Sequence, residues 1–438
     1  MANRTYDATL KRWAWLQEYR HNGSAWREVI ASDEDEAVSF QSIFKEDNYL
    51  GRGTILQRDI SQMPVHTDSD AMAKFMWDWS PFSPAGGWGS KTALNTSAYG
   101  TQPIHGYVVD STHPDCHFQP VMGTSIQTPQ AEIDAYMSGM IPWPSWAVPA
   151  QNHDRGIAIY DKGTGILREY FGIMKRSDGV WADMHDPNKS ATGGYSVVRP
   201  GLQHLAEDNY ALQQRRGISN VAGMHNNFGF IGITEALAKK INHALCFTFG
   251  AAWGKVATKQ EYVDALAIGM QNSFPARVSW PARAADGKAE RYIPEANGSF
   301  NSATPHLTPT HGQWGRLKAD VDPMHNPRTG RPYNPFTRVV IEAAKTYGLV
   351  GTDTNLWVNA FNAEQGRTFQ HRYGVDPWAS GLIANTYRDE AYSSSSWTNL
   401  EDFPWDRTEW APLDWGRPEI DYNLRPGQRY PSGRESLY

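Results

Sequence analysis

The chain has 438 residues, enough to bury a large core as one big domain with extensions or as two domains. Its 41 basic and 47 acidic residues leave a net charge of −6 without a basic block, which argues against nucleic acid as a partner because phosphate contact needs clustered Lys and Arg. No apolar run approaches the ~20 residues that span a bilayer, and 18 Trp, 20 Tyr and 16 Phe among 38 Gly and 27 Pro predict an aromatic-rich, turn-rich all-β protein.

In chain order, residues 8–30 place Leu10, Trp13, Leu16 and Tyr19 at helical spacing in a charged background, which predicts an N-terminal amphipathic helix that docks on a neighbour or on its own domain. The acidic run Asp33-Glu34-Asp35-Glu36 follows. From about 41 to 150 the chain is rich in Pro, Gly and Trp with few periodic runs, the composition of long loops wrapped around a core. Residues 153–250 carry the clearest strand pattern. Ile157 and Ile159, then Ile166, Arg168 and Tyr170, alternate around Asp161-Lys162-Gly163-Thr164-Gly165, a turn that closes an antiparallel hairpin. The turn Ser177-Asp178-Gly179 leads to Val180–Met184 as a third strand of the same meander. Ile241 to Phe249 alternates again, with Ile241, His243, Leu245, Phe247 and Phe249 on one face.

Between 334 and 350, Phe336, Val339, Val340, Ala343, Ala344 and Tyr347 recur at helical spacing and Gly348 follows as a stop, giving one well-specified amphipathic helix. After about 385, Trp397, Trp405, Trp410 and Trp415 sit in a non-periodic, Pro-rich run. So many aromatics are unlike a free disordered tail, and the expectation is an extended arm that orders on another subunit.

Five blocks resemble a family of exported, mostly uncharacterised actinobacterial proteins, segments of which also occur in minor tail proteins of phages infecting those bacteria. They are His153-Asp154-Arg155 through Asp161, Ile166 to Phe171, Ile241 to Phe249, Ser279-Trp280-Pro281-Ala282-Arg283, and Arg316-Leu317-Lys318-Ala319-Asp320. Upstream and downstream segments keep the family's order, so that residues 41–370 are covered. Three differences stand out: a Gly- and Trp-rich stretch near 84–96, an insertion near 253–277, and Cys246 where the family usually carries Arg beside its His. Residues 1–40 lack a signal-peptide pattern, which together with the resemblance implies export by assembly into a virion and release by lysis.

The resemblance and the strand pattern together imply an all-β fold: a jelly-roll-like antiparallel β-sandwich over 41–384 with one flanking helix. An N-terminal helical segment over 1–40 and an extended C-terminal arm over 385–438 complete it. The implied setting is a phage tail tip, with other tail proteins, copies of itself and host cell-envelope glycan as partners, and with no cofactor.

Glycosidic cleavage needs two carboxyl groups roughly 5–9 Å apart. Glu169 and Asp183, on successive predicted strands, are the carboxylates that would serve, and His243, singled out by the resemblance, is the candidate base. His153, Asp154, Trp181, His225, Trp280, His306 and His311 are the candidate ligand-binding residues, with Trp143 and Trp146 as further aromatic platforms for a sugar face. The alternatives are a binder of envelope glycan, a glycan-cleaving hydrolase or lyase, and a purely architectural tail protein. Loss of a fixed charge at Cys246, beside His243, favours the non-enzymatic reading. His113-Pro114-Asp115-Cys116-His117 gathers metal-type ligands, but no second cluster at standard spacing accompanies it, so no metal is expected. The two cysteines can make one bridge at most, and free buried thiols are the expectation.

Overall fold

A computed structural model describes residues 5–7, 12–14, 18–21, 26–29, 55–78, 92–96, 104–125, 130–150, 154–197, 220–250, 279–282, 285, 309–354, 358–388, 400–413, 415 and 416. The helix expected over 8–30 is replaced by two antiparallel hairpins. In these, β1 (Thr5–Asp7) pairs with β2 (Arg12–Ala14), and β3 (Glu18–His21) with β4 (Trp26–Val29). Asn22-Gly23 lies between the second pair, and this dipeptide, with Thr, Tyr, Trp and Val nearby, is a stronger hairpin signal than the apolar spacing was a helical one.

Three larger sheets build the body, and all three are mixed rather than antiparallel throughout. The five-stranded sheet takes the order β6 (His105–Val109), β10 (Ile157–Asp161), β11 (Ile166–Phe171), β14 (Ala191–Val197), β8 (Gly123–Thr124). The four-stranded sheet is β12 (Ile173–Lys175), β13 (Trp181–Asp183), β7 (Phe118–Val121), β9 (Gly139–Pro142). The six-stranded sheet is β19 (Thr408–Trp410), β16 (Trp314–Leu317), β17 (Leu349–Thr354), β15 (Leu245–Phe249), β18 (Ala360–Asn362), β5 (Ala93–Asn95). The predicted hairpin is present as β10 and β11, with Ile157 opposite Tyr170. Parallel pairs such as β6 with β10 and β15 with β17 arise because long connections carry the chain back to the same end of the sheet.

Trp181–Asp183 is not the third strand of that meander. At Gly172, φ is +65°, so the chain leaves β11 in a conformation that L side chains rarely adopt. It then starts β12, against which β13 pairs. The Pro- and Gly-rich stretch before residue 150 likewise supplies β5 to β9, strands too short for periodicity to reveal.

Six α-helices, not one, occur among the described residues: α1 (Ser69–Asp78), α2 (Gln130–Tyr136), α3 (Ile233–Ala238), α4 (Pro335–Thr346), α5 (Arg367–Tyr373) and α6 (Leu382–Thr386). The predicted helix is α4. Its first turn has a side-chain cap, as the Asn334 amide oxygen accepts from Phe336 N, and Pro335 occupies a position where a missing N–H costs nothing. Asp402 reinforces this end by accepting from Asn334 N and the Thr337 hydroxyl, each at 2.6 Å.

Side-chain alternation sorts the core into three layers. Ile157, Ile159, Ile166 and Tyr170 pack with Val121, Ile141, Trp143 and Trp181 between the five- and four-stranded sheets. The opposite face of the five-stranded sheet gives Val108, Ala158, Tyr160 and Leu167 to a middle layer, where they meet Ala244, Cys246, Trp314 and Val350. On the far face of the six-stranded sheet, Leu245, Phe247 and Phe249 meet α1, α3, α4 and the aromatics of 400–410. Each such large apolar side chain contributes about 1.5–3 kcal/mol by leaving water.

The described part of the expected C-terminal arm belongs to this core. Trp405 and Trp410 are fully buried, and β19 pairs with β16. Trp405 lies parallel to Phe361 with ring centroids 5.5 Å apart and donates from Nε1 to the Thr92 hydroxyl at 2.7 Å. An apolar stretch without a core of its own is stable only by burying itself, and here it does so on its own chain.

Candidate functional site

The middle layer holds a buried polar cluster. Glu169 follows Leu167 by two residues on β11 and therefore faces this layer, while Arg168 and Tyr170 face the other and bond to the carbonyls of Tyr136 and Met137. On the adjacent β14, Ser196 lies opposite Leu167 and Gly194 opposite Glu169, so Ser196 and Glu169 share a face one diagonal step apart.

The third member comes from across the layer. Ala222 N donates to Thr352 O of β17, which ties the loop over 220–225 to the six-stranded sheet. Within that loop Asn220 Oδ1 accepts from Met224 N, and its amide donates to Met224 O. His225 then enters a 3-10 turn over Asn226–Gly229 with its ring between the two strands. Its Nδ1 lies 3.0 Å from Glu169 Oε1, and its Nε2 lies 2.5 Å from Ser196 Oγ. The Nδ1 contact is bent away from a straight N–H···O line. Asn227 Nδ2 donates to the same Glu169 oxygen at 2.7 Å.

Glu169, His225 and Asn227 are fully buried and Ser196 is 4% exposed. Burying a carboxylate costs several kcal/mol unless donors match it, and here two donor-bearing side chains converge on it. The result is a carboxylate, imidazole and hydroxyl in series.

His243 belongs to a different network. Its Nε2 is 2.9 Å from Glu235 Oε2 and its Nδ1 is 2.7 Å from Ala244 O. Both ring nitrogens thus lie against oxygens of the protein itself, so the ring is engaged in holding this turn. Glu235 also accepts from Gly232 N at 2.8 Å, so the pair fastens the start of α3 to the turn before β15. Cys246 is not beside His243: alternation along β15 points it into the middle layer, on the opposite side of the sheet.

Asp183 is partly exposed and its Oδ1 accepts from His185 N at 2.7 Å and Asp186 N at 3.2 Å, the work of a turn. It lies in the four-stranded sheet, whereas Glu169 faces away from that sheet, so the expected carboxylate pair does not form. Trp181 is a core residue, stacked on Trp143 at 4.6 Å with Nε1 donating to Gln119 Oε1. Trp280 is 9% exposed within the middle layer, and His311 is buried with its ring edge-on to Phe249 at 5.3 Å. Asp154 is partly exposed beside β10. His153 and His306 lie outside the described residues. Trp146 is half-buried and stacks on the exposed His371 at 4.0 Å.

Among the described residues no three His, Cys, Asp or Glu gather as a metal site. The ring of His117 bonds to Trp143 O, and burial pushes the Cys116 thiol up to about 11. Cys116 and Cys246 are free and occupy different layers.

Sequence reasoning named Glu169 and His225 without pairing them, and it missed Ser196, Asn227 and Glu235. Asn227 follows His225 by two residues and Glu235 precedes His243 by eight, but nothing local marks either as a partner. Compared with protein-family models, curated proteins and solved structures, the chain matches none.

Proposed function

We infer that this is a minor tail protein at the tip of a bacteriophage tail, in contact with other tail proteins and with host cell-envelope glycan, which it binds without cleaving glycosidic bonds. Support for the virion setting is the resemblance of the five blocks above. The finer fold reading, a jelly-roll-like sandwich, rests on the five- and four-stranded sheets that face each other across a shared aromatic core. No helix among the described residues is long and apolar enough to cross a membrane.

One observation carries the choice of binding over glycosidic cleavage. Glu169 and Asp183 face different layers, one buried and one serving a turn, whereas the usual inverting and retaining hydrolases place two carboxyl groups on either side of the bond. A contact surface is offered instead near Trp146, the aromatic candidate that stays partly open beside the exposed His371 and Arg372. Purified protein passed over immobilised actinobacterial arabinogalactan should be retained, release no reducing ends, and lose retention in Trp146→Ala. Failure to bind any envelope fraction overturns the glycan reading, and reducing ends that vanish in Glu169→Gln overturn its non-cleaving part.

A further inference from the structure

The Glu169–His225–Ser196 series is compatible with one polarity. With the ring proton assigned to Nδ1, which lies 3.0 Å from Glu169 Oε1, His225 Nε2 is left to accept from Ser196 Oγ, 2.5 Å away. Asn227 reinforces this by donating to Glu169 Oε1, which keeps that oxygen an acceptor. A hydroxyl bonded to an imidazole, itself oriented by a carboxylate, is the arrangement that activates serine as a nucleophile, and it is recognised by geometry and roles rather than by a sequence motif.

Structural use alone would ask less of these residues. His243 and Glu235 hold an element together with both ring nitrogens set against a carboxylate and a carbonyl, whereas one ring nitrogen of His225 lies against a hydroxyl. Ser196 also sits where a strand loses a neighbour: β8 pairs only with Ala191 and Thr192, so the stretch of β14 that carries Ser196 has no described strand on that side.

We propose that Ser196 is the nucleophile of an acyl-ester hydrolase centre, with His225 as general base and acid and Glu169 as the residue that positions the ring. Ser196 Oγ bonds to the ester carbonyl carbon as its proton passes to His225 Nε2. The tetrahedral adduct collapses, the carbon–alkoxide bond breaks, and the leaving alcohol takes the proton back from His225. In the second half, water gives a proton to His225 Nε2 as its oxygen bonds to the acyl carbon, and the bond to Ser196 Oγ breaks as that oxygen takes the proton back, giving free carboxylic acid and free Ser196. The assignment is independent of glycan binding and stands if that reading fails.

The test uses the full-length protein, a fluorophosphonate and p-nitrophenyl acetate. The fluorophosphonate should form one adduct, in which phosphorus bonds to Ser196 Oγ and fluoride leaves, mapped by peptide mass spectrometry. Ser196→Ala, which removes a single oxygen, should abolish adduct and ester hydrolysis with native circular dichroism. His225→Gln should slow both by about 10²-fold or more, and Glu169→Gln should lower kcat with KM little changed. If folded parent protein shows no adduct at Ser196, or if ester hydrolysis persists in Ser196→Ala, the assignment is wrong.

Discussion

Cys246 of β15 and Gly229 at the end of the 3-10 turn pack in direct contact: a Cβ built on the glycine would fall 2.8 Å from Cys246 Cβ and 2.9 Å from its backbone nitrogen. That approach seats the His225 segment on the six-stranded sheet and accounts for a small, uncharged residue at 246. An Arg there would drive a charge into the sealed middle layer.

Gly229→Ala should therefore destabilise the protein by about 1–3 kcal/mol through overpacking. Because the backbone nitrogen of Cys246 is one of the clashing atoms, adding Cys246→Ala should restore only part of the loss. Denaturant midpoints of the two single variants and the double variant measure this, and full rescue would mean the sulfur alone sets the limit.

Trp280→Ala should act on stability rather than on ligand contact. Its side chain is 9% exposed in the middle layer, and truncating a buried aromatic costs about 3–5 kcal/mol. Thermal unfolding should shift clearly, while glycan retention by the protein that remains folded should match the parent.

Breaking the His243–Glu235 pair should cost about 3–5 kcal/mol, because the surviving partner is left buried without its counterpart. His243→Ala and Glu235→Ala should each lower the unfolding midpoint, and the double variant should lose less than the sum. Additive losses would show that the two side chains do not interact.

Acid should weaken the fold through His105. Burial lowers its pKa from 6.5 to about 4, against the partly compensating bond of Nδ1 to Val148 O. Between these values the unfolded chain binds a proton that the folded one refuses. The contribution is intact above about pH 6.5 and falls away as pH drops toward 4, by on the order of 3 kcal/mol. His105→Asn, which keeps a donor but cannot titrate, should flatten that part of the pH–stability curve in urea titrations.

Removing residues 400–438 should leave no soluble folded centre, since it deletes β19 and the fully buried Trp405 and Trp410. Near-ultraviolet circular dichroism of the truncated chain should lack native aromatic structure. A native spectrum would return these residues to the role of a peripheral arm.

The sequence by itself determined those elements whose partners are close along the chain. The β10–β11 hairpin was legible because a short Gly-rich turn forces its two strands together, and α4 because its cap, apolar face and terminal glycine lie within one window. Tertiary structure decided the rest, because a period shows which face is buried but not against what. Gly172 sends β13 to a second sheet, and parallel pairs such as β15 with β17 join residues about a hundred positions apart. Trp405 and Trp410 read as an arm that orders on another subunit until their own core is seen to receive them. Glu169, Ser196 and His225 were separately visible as letters. Only β11–β14 pairing, and a loop anchored to the opposite sheet, bring a carboxylate, a hydroxyl and an imidazole within bonding distance.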